Sequence, residues 1–337
     1  MKDYSLFNKL NKEVELGNVR RSEFEDLYLY KYSEDCAFNK NWNEWNRQAR
    51  GIIFRKDAEI VARPFSKFFN LFEMPETMPE ALPRLPYEVQ EKVDGSCGSA
   101  FRHNGAWRLA TPGAFESEQA LYGTELLKKY NWDVLPLDVT PIFEIVYPGN
   151  RIVIDYNGEE FLSLLAIFEK NGQEWHSSRV DQIAHQGRFK RPRYYTIDPL
   201  NAAFEENTEG YVVRYENGFR LKIKSPIYSQ IHKLLGYLSP KGVIELLQGK
   251  EYGITIKQLP PAIAKSFDDI RGIVTGKYYE FTNEVERLFT LVPEGTKKDK
   301  ALWVQTNVPR FLQGQVFAKI NGKDISYKMW NIVLENL

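Results

Sequence analysis

TEGYVVRYENGFRLKIKS (Thr208–Ser225) places two β-rich runs on either side of Asn217-Gly218, a pair strongly favoured at two-residue hairpin turns. With that turn, Glu216 pairs with Phe219, Val213 with Lys222 and Tyr211 with Lys224. Side chains alternate faces along a strand, and cross-strand partners share a face. Glu209, Tyr211, Val213, Lys222 and Lys224 are therefore expected on one face. Val212, Leu221 and Ile223 are expected on the other, against a core. Two lysines on one strand face, with a glutamate at the far end of the partner strand, fit two readings. One is a wet sheet face carrying a diagonal ion pair. The other is a site that holds an anion.

Upstream, EKVDGS (Glu91–Ser96) follows the strand-like run YEVQ and opens an Asp-Gly turn. A lysine at a strand end before a tight turn can aim one amine into a pocket. At a reference pKa of about 10.4, only roughly one such lysine in a few thousand is neutral at pH 7. A nucleophilic Lys92 therefore needs burial or neighbouring cations. Lys222 and Lys224 are the candidates for those cations, and they would also hold a polyphosphate. Glu209 at the rim would then help to hold the divalent ion that such phosphates carry.

The 337 residues have zero formal net charge, so any basic groove is local. The length suits about two domains. Aromatics make up 14% of the chain, which suits a β-rich core and base stacking alike. Two cysteines, Cys36 and Cys97, make no disulfide framework, and no Cys/His spacing resembles a zinc site. The first residues read as a mixed-charge amphipathic helix rather than a signal peptide. No run approaches the ~20 apolar residues of a membrane span, so a cytoplasmic protein without a membrane partner is expected. As far as residue 225 or so the chain alternates strand-like runs, among them ARGIIFR, AEIVARPF, GSAFRH, AWRLAT, PIFEIVYP, RIVIDY, FLSLLAIF and YVVRY. SEQALYGTELLKKY has helical spacing behind a Ser117 cap, and His103-Asn104-Gly105 marks a second hairpin turn. After Ser225 the apolar residues recur three and four apart. The expected fold class is α+β: an antiparallel-sheet domain over 1–228 and a mainly helical domain over 229–337.

KVDGS, FEIV around Glu144, EGYVV around Glu209 and LKIKS around Lys222 and Lys224 resemble, in order and spacing, the motifs of the covalent nucleotidyltransferases: RNA ligases, DNA ligases and messenger-RNA capping enzymes. KxDG alone is a weak signal; the four in order are strong. ARGIIF (Arg50), SKFFN (Lys67, Phe69), SEQA (Ser117–Ala120), PGNRIV (Pro148–Val153) and the later Tyr228 and His232 are similar to the RNA ligase 1 family of T-even phages. The resemblance covers roughly residues 48 to 232. One position departs from it: Pro112 in TPGAF stands where the family has a basic residue, with Arg108 the neighbour available to substitute.

The resemblance implies an ATP-dependent RNA ligase working through a lysyl-AMP intermediate on RNA with 5′-phosphate and 3′-hydroxyl ends, in RNA repair, with ATP and Mg²⁺ as cofactors and Mn²⁺ as an alternative ion. It implies Lys92 as nucleophile and Lys222 and Lys224 as the groups that neutralise the α-phosphate. Glu209 and Glu144 would contact ribose or hold the metal. Glu91 would border the nucleotide. Arg50 and Lys67 would contact pyrophosphate or RNA phosphates, Phe69 would stack on adenine and Tyr228 would support the site. Without the resemblance, Arg50 and Lys67 read equally well as surface charges, and Phe69 and Tyr228 better as core aromatics. Trp42 and Trp45 read as packing residues rather than RNA contacts. A DNA ligase or capping enzyme would follow the lysine motifs with a small β-barrel, against the helical texture here. A nucleotide or RNA sensor is the remaining alternative, resting on Pro112 alone. The helical region is a candidate reader of a tRNA stem-loop, and the default assembly is a monomer.

Overall fold

The computed structural model describes residues 1–249 and 261–337. The chain divides into two compact units, Met1–Tyr228 and Ser229–Leu337. The first holds thirteen strands in chain order: β1 Val19–Phe24, β2 Leu27–Tyr32, β3 Arg50–Arg55, β4 Ile60–Ala62, β5 Phe69–Asn70, β6 Tyr87–Glu91, β7 Ser96–His103, β8 Ala106–Ala110, β9 Val139–Val146, β10 Phe161–Glu169, β11 Tyr194–Tyr195, β12 Gly210–Tyr215 and β13 Arg220–Lys224. They form three sheets, β1-β2-β3-β4, β10-β9-β7-β8 and β11-β6-β12-β13-β5. All pairings are antiparallel except β13 with β5. The fold is thus α+β, with antiparallel sheets ahead of a helical region.

Local chemistry explains several elements. The helix Tyr4–Glu15 buries Leu6 and Leu10, as its amphipathic spacing requires. Ser117 caps the helix Glu118–Leu127 by accepting from the Ala120 N–H at 3.2 Å. Asn104 and Gly105 both take positive φ (49° and 80°), the geometry a two-residue turn between β7 and β8 demands.

The β12–β13 hairpin differs from its sequence-based register. Gly210 pairs with Lys224, Tyr211 with Ile223, Val212 with Lys222 and Val213 with Leu221. The loop has three residues, Glu216–Gly218. The Tyr215 N–H donates to the Phe219 carbonyl and the Gly218 N–H to the Tyr215 carbonyl, each at 2.9 Å. Gly218 sits at φ +82°, the left-handed residue of a three-residue hairpin. One extra loop residue exchanges the faces of the first strand. Tyr211 and Val213 join Leu221, Ile223 and Val89 in the core, and Val212 turns to the side of Lys222. Burial of each of these apolar side chains contributes about 1.5–3 kcal/mol, enough to fix this register.

RIVIDY is the second correction. It forms no strand, because the N–H groups of Val153 and Ile154 donate to the Asp94 carboxylate, both at 2.9 Å, instead of to a neighbouring strand. AEIVARPF is a strand only over Ile60–Ala62.

The second unit contains helices and, among the described residues, no strand. Pro240–Leu247, Pro261–Thr290, Lys297–Asn307, Arg310–Ile320 and Ser326–Glu335 pack a core that includes Val274, Val285, Val304, Val316, Met329 and Val333. The basic run Lys297–Lys300 opens a helix capped by Thr296, whose hydroxyl accepts from the Asp299 N–H. No described helix is long and apolar enough to cross a membrane.

Gly210 has φ +138°, and a Cβ there would lie 2.0 Å from the Ile223 carbonyl oxygen. Gly210→Ala should therefore destabilise the protein by about 3 kcal/mol or more. Thermal unfolding measures this; a variant that melts with the wild type would contradict the hairpin geometry.

Candidate active site

β6 ends at Glu91, and the chain leaves the sheet at Lys92, whose N–H still donates to the Gly210 carbonyl at 2.9 Å. β12 begins at Gly210, and the Ser225 N–H beyond β13 donates to the Glu209 carbonyl at 2.9 Å. Three strand ends therefore meet at one point. There the Glu209 carboxylate, its side chain only 3% exposed, receives Lys92 Nζ on Oε2 at 2.7 Å and Lys224 Nζ on Oε1 at 3.2 Å. A carboxylate so deeply buried is tolerable only when paired, and here both oxygens are engaged by ammonium groups.

The cavity beside this cluster is lined by Arg50, Lys92, Glu144 and Lys222, with Phe65, Phe68, Gln90 and Val212 on its walls. Burial pushes Lys222 down to about 7, and Lys67, Arg50, Lys92 and Lys224 push the same way. Burial pushes the Glu144 carboxyl up to about 8; Glu209 and Asp94 reinforce that, while Lys92 and Arg50 oppose it. In the free protein near neutral pH, Lys222 is thus partly neutral and Glu144 largely protonated. The Glu144 carboxyl has no hydrogen-bond partner among the described residues. Arg50 Nη1 is also buried without one. An anion entering this cavity would meet Arg50, Lys92 and Lys222, and a cation beside Glu144 would favour its ionised form. Glu144 and Glu209 offer the hard oxygen donors that suit Mg²⁺ or Mn²⁺.

The turn after Lys92 is held from several sides. Asp94 Oδ2 accepts from Val153 and Ile154, and its Oδ1 accepts from the Tyr228 hydroxyl at 2.7 Å. The Asp94 N–H donates to the Tyr156 hydroxyl at 2.8 Å. At Gly95 a Cβ would meet the Ile145 carbonyl oxygen at 2.6 Å and Glu144 Cγ at 3.2 Å, so only glycine lets the turn approach β9 so closely. Asn150 links the PGNRIV segment to this turn by donating to Ser96 Oγ at 2.9 Å and to the Ile145 carbonyl at 3.2 Å.

Not every expected residue faces the cavity. Phe69 is 2% exposed and lies under Arg47, Lys67 and Trp42. Phe68, its neighbour on the opposite side of the chain, faces the cavity and lies 5.0 Å beneath Lys222 Nζ. Phe69 as the stacking residue is thus corrected to a packing residue, and the cavity walls are Phe65 and Phe68. The Lys67 amine stands against the rings of Tyr32, Trp42 and Phe69 at 5.1–5.5 Å; burial lowers its pKa, with Arg50 and Lys224 adding to that and Glu73 opposing it. Glu91 borders the cavity, but its carboxylate is held by Arg193 at 3.3 Å. Sequence reasoning missed Arg220, a partly buried lining residue paired with Glu174 at 2.6 Å. Strand alternation with Lys222 and Lys224 carried that signal.

This geometry can be set beside known proteins. Residues 48–228 match the family described as RNA ligase. A protein of Thermovibrio ammonificans named "Putative RNA ligase" is 31% identical over 317 residues, covering 88% of this chain and 80% of the other. The RNA ligase of Rhodothermus phage RM378 is 26% identical over 299 residues, covering 66% and 67%. An archaeal ATP-dependent RNA ligase structure superposes with a TM-score of 0.54 at 15% identity, covering 81% of this chain and 83% of that one, which shows the shared fold. From the motifs, the matched span and the relative at 31% identity, the chain belongs to the RNA ligase family.

Proposed function

We propose that this protein is an ATP-dependent RNA ligase that joins 5′-phosphate and 3′-hydroxyl RNA ends, in RNA repair and in the cytoplasm, acting as a monomer. The observation that carries this reading is the Glu209 carboxylate bridging Lys92 and Lys224 beside the Arg50 and Lys222 cavity. The match of residues 48–228 to the RNA ligase family favours RNA ligation over the DNA ligase and capping alternatives. The related archaeal structure bears the description ATP-dependent, which supports ATP as the nucleotide.

In the first step the neutral Lys92 amine attacks the α-phosphorus of ATP. A P–N bond forms, the bond to the bridging oxygen breaks, pyrophosphate leaves and the amine loses a proton. In the second step the RNA 5′-phosphate oxygen attacks the same phosphorus and Lys92 departs, regaining a proton. In the third, the 3′-hydroxyl attacks the RNA 5′-phosphate and AMP leaves. Positioning and charge neutralisation dominate such displacements. Glu209 orients the Lys92 amine. Lys222 and Lys224 neutralise the α-phosphate, and Arg50 and Lys67 neutralise the outer phosphates. Glu144 and Glu209 would hold Mg²⁺, which supplies further neutralisation of phosphate charge.

The protein incubated with ATP labelled at the α-phosphate and Mg²⁺ should carry label through a denaturing gel. Labelled GTP should give none, and Lys92→Ala should abolish the band. A GMP adduct would move the protein to the capping class, and no adduct would favour the sensor.

Lys222 gives a second test. A bound phosphate raises its depressed pKa, so the free protein must take up protons on binding ATP above about pH 7. Calorimetry of Lys92→Ala with ATP and no metal, in buffers of different ionisation enthalpy, should show roughly half a proton or more taken up at about pH 7.5. Lys222→Ala in that background should remove most of the uptake. The same uptake without Lys222 would contradict its placement on the phosphate. Added Mg²⁺ should release protons, because Glu144 is protonated below about 8 and must ionise to bind it.

A further inference from the structure

Lys31 on β2 pairs with Arg50 on β3 just past a β-bulge, where the register shifts between Tyr30 and Lys31 and Gly51 is the extra residue. Like charges placed opposite one another are destabilising. Neither side chain has an ion-pair partner among the described residues, and Arg50 Nη1 is buried without a hydrogen bond. An anion held between the two side chains would relieve that repulsion.

The turn Thr111–Ala114 fixes where the Lys31 amine lies. The Thr111 N–H donates to the Ala114 carbonyl at 3.0 Å. Pro112 Cα packs 2.8 Å from the place a Cβ on Gly51 would take, a residue at φ +90°. Across the same turn, Lys31 Nζ reaches 3.4 Å from the Cβ position of Gly113. Lys31 thus arrives at the turn that packs on Gly51, the residue after Arg50. Arg108, the other cation the sequence offers at this turn, is committed elsewhere. It pairs with Glu116 at 3.4 Å and lies over the Phe24 ring at 4.5 Å.

Arg50 lines the cavity that holds Lys92 and Lys222, yet it comes from a different sheet than β6 and β13. The α-phosphate must sit within bonding reach of Lys92, and the leaving group departs on the side away from the amine. We propose that Lys31, together with Arg50, seats the β- and γ-phosphates of ATP, making Lys31 a positioning residue for the pyrophosphate leaving group. This rests on the ATP-dependent reading above.

The test follows single-turnover adduct formation against ATP concentration. Lys31→Ala should raise the half-saturating ATP concentration about tenfold and change the limiting rate by less than about threefold. Lys31→Arg should retain most of the wild-type affinity. Inhibition by inorganic pyrophosphate should weaken in Lys31→Ala by a similar factor. Sealing of pre-adenylylated RNA, which needs no ATP, reports folding and RNA binding and should be kept. An unchanged ATP dependence in Lys31→Ala, with the wild type forming adduct normally, would overturn the inference. So would an equal loss in sealing of pre-adenylylated RNA, which would place Lys31 on the RNA or in the scaffold. A wild type that forms no adduct would refute the ATP reading itself, and this inference with it.

Discussion

A single buried carboxylate organises this molecule. Glu209 receives Lys92 and Lys224 on its two oxygens, and removing it would leave two ammonium groups facing each other beside Lys222 and Arg50. Breaking a buried ion pair from one side is among the costliest changes a fold can suffer, on the order of 3–5 kcal/mol. The central sheet brings the three residues together. β6 delivers Lys92, β12 begins just after Glu209, and β13 ends at Lys224. The ladder bonds between these strands fix backbone positions first, and the ion pairs form on that frame.

Asp94 does for the backbone what Glu209 does for the amines. It gathers two N–H groups from the 153–154 segment and one hydroxyl from Tyr228, so the loop after the nucleophile, an irregular segment and the last residue of the first unit share one anchor. The absence of a side chain at Gly95 lets this anchored turn lie against β9 and Glu144. The result is a cavity whose cations outnumber its available anions while no substrate is bound. Lys222 is pushed down to about 7 and Glu144 up to about 8, in each case chiefly by burial.

Apolar spacing made the fold class and the helical second region legible, and motif order did so for the meeting of Lys92, Glu209, Lys222 and Lys224. Strand alternation did not, since on the true register Glu209 reaches the lysines from the end of its strand and not from their face. Sequence reasoning misjudged the hairpin register by one residue, since Asn217-Gly218 serves a three-residue loop as well as a two-residue one, and the apolar burial of Tyr211 and Val213 decided between them. RIVIDY looked like a strand because its β-branched residues are apolar, yet its amides go to Asp94. Phe68 and Phe69 alternate faces, and nothing in SKFFN says which of them faces the cavity. Lys31 was beyond reach: its approach to Arg50 depends on β2–β3 pairing, a contact between segments with no motif of their own.

Peptide mass spectrometry of the protein after incubation with ATP and Mg²⁺ bears most directly on the Glu209-centred site. The account predicts one AMP moiety carried on the side chain of Lys92, and a sharp loss of that adduct in Glu209→Gln that still folds. An adduct on another residue, or undiminished modification of Lys92 without the Glu209 carboxylate, would contradict it.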